Sequence, residues 1–194
     1  MASIGQINVN KSRPAQDLIA RVCEEERLGL VAVSEPHSVR GGCWLFSSDV
    51  PPTDALAWQY SDVPCSPLFK GEGFVAVEWG KLVVFSCYFS PNLPDAEFER
   101  GLCDLDARVQ SCDCRPLLVL GDFNARSPAW DRREPNCRGR TLTRYMWYGL
   151  IVIPLFMVFF FRYLIVDIYK INDIMISMRG VLPRIRYDEL MYLC

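Results

Sequence analysis

Leu117-Leu118-Val119-Leu120-Gly121-Asp122-Phe123-Asn124-Ala125 is an apolar run that ends abruptly in a glycine, a carboxylate and an amide. Its aliphatic start predicts a short strand covered on both faces. Gly121 lets the backbone turn or a substrate come close, and Asp122 and Asn124, two apart, point the same way if the chain stays extended. A carboxylate and a neutral amide in one small space suit attack on a phosphodiester. The carboxylate offers a hard oxygen to Mg²⁺ or a base to water, and the amide orients nucleophile or phosphate without adding charge. The same Asp-x-Asn spacing also makes a turn that closes a strand, and the residues alone leave both readings open.

Moving outward, other polar residues stand at the ends of apolar strands. Asn8 and Asn10 lie on a strand expected over 4–10, Glu35 follows 30–33, and Tyr88 follows 82–87. Open α/β sheets place ligands at such edges. Pro36 favours an extended backbone at Glu35. Between the strands, 14–27 reads as a helix with Leu18, Ile19, Val22 and Cys23 on its apolar side and Gly29 as its stop. Residues 94–111 place Phe98, Leu102, Leu105 and Val109 at helical spacing, and Trp79-Gly80 joins two strands in a hairpin. Residues 36–42 and 47–72 read as irregular. The fold class that follows is α/β.

Five segments in order carry a resemblance. They are Gln6-Ile7-Asn8-Val9-Asn10 with Lys11-Ser12-Arg13-Pro14-Ala15-Gln16-Asp17-Leu18; Val31-Ala32-Val33-Ser34-Glu35-Pro36; Ser86-Cys87-Tyr88-Phe89-Ser90-Pro91-Asn92; the opening run; and Ser127-Pro128-Ala129-Trp130 with Arg138-Gly139-Arg140. Together they resemble the endonuclease domain of non-LTR retrotransposons. That is a branch of the endonuclease/exonuclease/phosphatase superfamily, which includes apurinic endonucleases and deoxyribonuclease I. The resemblance implies a sandwich of two sheets with helices outside. It implies that Glu35, helped by Asn8 or Asn10, holds Mg²⁺, with Mn²⁺ as an alternative ion. By the same transfer Asp122 and Asn124 orient or activate water and Tyr88 contacts the phosphate. DNA is the implied partner, no small-molecule cofactor is expected, and the implied location is nuclear or cytoplasmic.

The family completes its site with a late aspartate and a final Ser-Asp-His, and the chain carries neither. Its single histidine, His37, belongs to an early loop and reads as a surface residue; Asp167, Asp173 and Asp188 stand in no family-like context. The expectation is therefore a partial domain over 1–145, an incomplete α/β sandwich, followed by an unrelated hydrophobic tail over 146–194. Residues 145–161 are uncharged and include three consecutive phenylalanines from Phe159. As a helix they would span roughly 26 Å at ~1.5 Å per residue, just short of a ~30 Å hydrocarbon core. Two readings stand for this tail: an anchor over 145–166, or sequence that is only incidentally apolar, the favoured one. The alternating isoleucines from Ile165 to Ile174 suggest one more amphipathic helix.

The net charge of −2 opposes a nucleic-acid partner until its distribution is considered. Residues 1–125 hold ten basic and seventeen acidic side chains, net −7, whereas 126–144 hold six arginines against Asp131 and Glu134, net +4. Arg126, Arg132, Arg133, Arg138 and Arg140 are thereby candidates for phosphate contacts on either side of a scissile bond. A solvated basic loop is the other reading. Nine cysteines without CxxC pairs fit a reducing compartment rather than a disulfide scaffold or structural zinc. Expected activity is at or near background. A non-catalytic remnant that binds nucleic acid weakly, or a membrane-anchored protein, are the alternatives.

Overall fold

The computed structural model describes residues 3–38, 42–58, 63–112, 116–128, 133–146, 152–154 and 164–167. Two mixed sheets stack face to face. The first, sheet A, runs β10-β1-β2-β4-β3, from β1 (Ser3–Asn8), β2 (Leu28–Ser34), β3 (Trp44–Phe46), β4 (Asp54–Trp58) and β10 (Leu164–Asp167). The second, sheet B, runs β5-β6-β7-β8-β9, from β5 (Cys65–Gly71), β6 (Phe74–Trp79), β7 (Leu82–Tyr88), β8 (Leu117–Asp122) and β9 (Val152–Pro154). Three helices, α1 (Arg13–Glu25), α2 (Asp95–Gln110) and α3 (Cys137–Met146), complete the described elements.

Strand alternation decides which side chain goes where. Ile4, Leu30, Ala32, Leu45 and Leu56 of sheet A meet Val75, Val77, Trp79, Leu82, Val84, Leu118 and Leu120 of sheet B in the core between the sheets. The opposite face of sheet A, with Val31, Val33 and Ala55, packs on Ile19 and Cys23 of α1. The outer face of sheet B, with Val83, Phe85, Cys87, Leu117 and Val119, packs on Phe98, Leu102 and Leu105 of α2 and on Leu142 of α3. β2, β7 and β8 are therefore buried on both faces. That is why they read as continuous apolar runs.

Several expectations are corrected. Gly29 does not stop α1, because it already lies inside β2; Arg27, in a left-handed conformation (φ 55), makes the turn instead. Leu18 is 52% exposed and outside the apolar stripe. The stretch 47–72 is not irregular. β4 pairs antiparallel with β2 and β5 with β6, although an aspartate and two alanines in β4 and a proline in β5 disguised them. Pairing partners override weak strand propensity. α3 was missed inside the arginine-rich segment. Its start is nonetheless written in Asn136, whose Oδ1 accepts from Gly139 N–H at 2.8 Å as an N-cap does.

The helical tail is also corrected where residues are described. Val152–Pro154 form β9, parallel to β8 with Leu120 opposite Ile153. Leu164–Asp167 form β10, antiparallel to β1. β-Branched residues beside an unpaired edge of a buried sheet gain a ladder that a lone helix lacks. The remainder of the expected tail helices lies outside the described residues. Among the described residues no helix is long and apolar enough to cross a membrane.

One buried acid interrupts the core. Asp54 is fully buried and its Oδ1 accepts from Ser34 Oγ at 3.3 Å. Its Oδ2, like Ser86 Oγ, lacks a hydrogen-bond partner among the described residues. Burial pushes the Asp54 carboxyl well above the usual carboxylate range, and the nearby hydroxyls of Ser86 and Ser34 only partly oppose this. The fold thus favours the protonated acid. The unfolded chain releases its proton near pH ~4, so the contribution of this group to stability is fully present below that pH and falls as pH rises towards the folded value. Asp54→Asn is expected to flatten this decline. Urea midpoints for both proteins between pH 4 and 8 check it, and an undiminished slope in the variant contradicts it.

Candidate active site

The inner faces of the two sheets carry the site past the end of the core. In β1 the order is Ile4, Gln6, Asn8; in β7 it is Val84, Ser86, Tyr88; in β8 it is Leu118, Leu120, Asp122. Each series holds one parity, so the residue that ends it points into the gap between the sheets. β1, β2, β7 and β8 run as two parallel pairs, with Asn8 opposite Ser34 and Tyr88 opposite Asp122. Their polar ends consequently meet at one rim.

Glu35 alone would face the wrong way. Ala32 and Ser34 share the inner parity of β2, and the next residue should turn towards α1. Instead Glu35 has a φ of 52°, against the extended backbone expected before Pro36. A left-handed conformation in a glutamate is strained. Two backbone bonds hold it: Glu35 N–H donates to Thr53 O and Lys11 N–H donates to Glu35 O, both at 2.8 Å. The reversal places its carboxylate beside those of the inner face.

At the centre is the carboxamide of Asn8. Its Nδ2 donates to Glu35 Oε2 and to Asp122 Oδ2, each at 3.1 Å, and its Oδ1 accepts from Asn10 N–H at 2.7 Å. A single amide thereby joins an acid of sheet A to an acid of sheet B. Tyr88, 8% exposed, bonds to the Glu35 carboxylate and to Ser90. Burial and the adjacent Glu35 and Asp122 charges hold its phenol far above the ordinary value, so it stays protonated. Burial also raises the Asp122 carboxyl. Bonds from Asn124 N–H and Asn8 oppose the rise, and the neighbouring Glu35 charge adds to it.

The structure thus brings together Asn8, Glu35, Tyr88 and Asp122. Asn10 is placed differently from the expectation: β1 ends at Asn8, and Asn10 is exposed with a φ of 48°. Asn8 takes the place beside Glu35. Asn124 is near, though by another route than an extended chain. Its φ is 48°, its N–H donates to Asp122 Oδ1 at 3.1 Å, and its Nδ2 donates to Phe89 O at 3.0 Å. The strand-closing turn and the site are the same feature. His37 is exposed, with Nδ1 2.8 Å from Lys11 O. Asp167 pairs with Ser3, at the end of β1 away from Asn8.

Of the arginines, Arg138 is a correction. Its side chain is 7% exposed, and it donates to Ser90 O, Leu93 O and Asp95 Oδ1 while lying 5.1 Å from the Phe98 ring centroid. Each of its three nitrogens donates a bond that docks α3 onto the β7–α2 connection, and its burial keeps the guanidinium from a phosphate at the surface. Arg133 and Arg140 are exposed and Arg126 is half-buried, while Arg132 lies outside the described residues. Sequence reasoning also missed Asn136. It bonds Arg126 N–H and Gly139 N–H through Oδ1 and Asn124 O through Nδ2, tying the loop after the site to α3.

Comparison with known proteins gives this geometry a family. The model of the endonuclease/exonuclease/phosphatase family matches residues 5–173, across most of the chain and past the boundary expected at 145. The chain belongs to the endonuclease/exonuclease/phosphatase family. No curated protein matches it in sequence. Its fold is similar to that of the endonuclease domain of TRAS1, a telomere-specific non-LTR retrotransposon, with a TM-score of 0.66 at 19% identity. That match covers 76% of this chain and 70% of the other. It is also similar to an AP endonuclease from Archaeoglobus fulgidus, with a TM-score of 0.50 at 18% identity over 69% and 62% of the two chains. The family's two-sheet core is the one seen here, with β9 and β10 at its edges.

Because Arg138 is structural, Arg138→Lys should lower stability by about 2 kcal/mol, as a lysine cannot fork to two carbonyls and a carboxylate. Chemical denaturation measures this, and a midpoint equal to the wild type's contradicts the assignment.

Proposed function

We propose that this chain carries the metal-binding half of a Mg²⁺-dependent DNA endonuclease site of the non-LTR retrotransposon kind. The observation that carries the reading is the Asn8 amide held between Glu35 and Asp122. Two carboxylates from different sheets converge on one amide although their charges repel. Such a donor set suits a small hard cation, which takes one or two protein carboxylates and leaves its remaining positions to water and phosphate. Among the described residues no cluster of three or more histidines, cysteines or acids offers an alternative metal site.

Glu35 and Asp122 would hold Mg²⁺, or Mn²⁺ in its place, with Asn8 fixing their separation. When bound, the ion would offset charge that develops on the phosphate and its leaving oxygen. Tyr88, kept protonated by burial and by Glu35, would turn its one hydroxyl proton from the Glu35 carboxylate to a non-bridging phosphate oxygen once an ion engages that carboxylate. Burial and Glu35 raise the Asp122 carboxyl when no ion is bound; an ion on one of its oxygens would offset that rise and leave the other oxygen to accept a hydrogen bond from the attacking water and orient it. Asn124 holds that acid in place through its N–H. The exposed Arg133 and Arg140, with Arg126, would position flanking phosphates by charge alone.

Catalysis by this chain is proposed to be weak. No histidine or further aspartate joins Asn8, Glu35, Tyr88 and Asp122 among the described residues, and preorganised charge-stabilising groups supply a large part of such rate enhancement. The proposed place of action is the nucleus or the cytoplasm, as the resemblance implies. Two measurements test the reading. Incubated with supercoiled plasmid and Mg²⁺, the chain should nick at or near background; robust nicking abolished in Glu35→Ala would contradict the weakness. Titration with Mn²⁺ should show one site, weakened at least ~10-fold by Glu35→Gln or Asp122→Asn; affinities unchanged by both would remove the site itself. Arg140→Glu should lower DNA affinity and its salt dependence, read by fluorescence anisotropy at two ionic strengths. Equal affinity in the variant counts against the arginine contacts.

A further inference from the structure

Sheets packed face to face lie about 10 Å apart and normally meet through apolar side chains. Beneath the Asn8 bridge a second carboxamide crosses that gap. Gln6 is 1% exposed, on the inner face of β1 between Ile4 and Asn8. Its Oε1 accepts from Gly121 N–H and its Nε2 donates to Gly121 O, both at 3.2 Å. Both bonds of one carboxamide go to the two peptide groups of one residue in the other sheet.

Gly121 is built to receive them. It pairs with Cys87 of β7, its φ is 141°, and a Cβ there would stand 2.0 Å from Cys87 O. Only glycine fits this conformation. Every other residue would be strained in backbone and pressed into β7, so the Gly121 peptide cannot shift sideways. Gln6 then fixes it in the remaining direction, towards sheet A.

The two ends of this link sit beside the acid-bridging amide. Asn8 follows Gln6 by two residues on the same face, and Asp122 follows Gly121 directly. We infer that Gln6 is the positioning residue of the site. Its fixed carboxamide length sets the gap between the sheets at the rim, and so holds Asn8 where one amide reaches both Glu35 and Asp122. The consequence for metal binding rests on the function proposed above. The geometric claim does not. An apolar side chain would fill the gap but leave it free to open by the few tenths of an ångström that a metal site does not tolerate.

The test uses the full chain as wild type, Gln6→Met and Gln6→Ser. Methionine keeps the volume and removes both bonds. Serine leaves room for water to satisfy Gly121 without fixing any distance. Solvent exchange of the two Asn8 Nδ2 protons by NMR, and Mn²⁺ affinity by electron paramagnetic resonance, are measured on proteins that melt cooperatively. Both variants should exchange these protons at least ~10-fold faster, and bind Mn²⁺ about 10–100-fold more weakly, as loss of a partner behind a ligand does. Wild-type exchange and affinity in Gln6→Ser would show that Gln6 merely satisfies Gly121, and would overturn the inference. So would failure of both variants to fold, which assigns Gln6 to stability alone. A wild type that binds no Mn²⁺ sinks the proposed function, while the exchange of the Asn8 protons still decides the role of Gln6.

Discussion

A single amide nitrogen shared by two carboxylates is the constraint on which the rest of the rim depends. Asn8 can serve Glu35 and Asp122 together only if the edges of two separate sheets arrive within hydrogen-bond reach of one another. The hydrophobic core brings them there. Leu30, Leu56, Val75, Val84 and Leu120 fill the gap between the sheets, and burial of such side chains contributes roughly 1.5–3 kcal/mol each. The polar residues follow because strand parity does not change where the core ends. Ile4 leads to Gln6 and Asn8, and Leu118 leads through Leu120 to Asp122.

That arrangement carries a cost in charge and in backbone. Two like charges face each other at a half-buried rim, and burial raises the Asp122 carboxyl further. Glu35 and Asn124 occupy left-handed conformations that cost such residues of order 1–3 kcal/mol each. Hydrogen bonds offset part of this: Asn8 to both acids, Lys11 and Thr53 to the Glu35 backbone, and Asn124 N–H to Asp122. Strain of this kind concentrates where a site must be held in one geometry. Among the described residues Asn10, Lys11, Glu35 and Asn124 carry it at or beside the rim, and Arg27 carries it in the turn from α1 to β2.

Much of this was legible in the sequence, and what was missed shares a physical reason. Apolar runs ending in Asn8, Glu35, Tyr88 and Asp122 marked strand ends, and the helical spacing of Phe98, Leu102 and Leu105 marked α2. Parity and periodicity are local, so a single sequence displays them. Which of Asn8 and Asn10 stands beside Glu35 depended on where β1 stops, and strand boundaries are the least local part of such a reading. Gln6 carried a signal that went unused: a carboxamide at an inward position of an apolar strand must find a buried partner. β4, β5, β9 and β10 owe their form to neighbours far along the chain, as in the pairing of Ser34 with Asp54 and of Leu120 with Ile153. Arg138 was counted with the basic patch because charge in a sequence does not reveal which guanidinium is buried. Its carbonyl partners, Ser90 and Leu93, stand far from it in sequence.

The central claim is that sheets A and B jointly hold one divalent ion at the rim where Asn8, Glu35 and Asp122 meet. A crystal of the protein soaked in Mn²⁺ and measured at the manganese absorption edge tests it directly. The account predicts one anomalous peak within coordination distance of both Glu35 and Asp122 carboxylates. Anomalous density elsewhere on the molecule with none at this rim, or Glu35 and Asp122 found on separate surfaces, would contradict it.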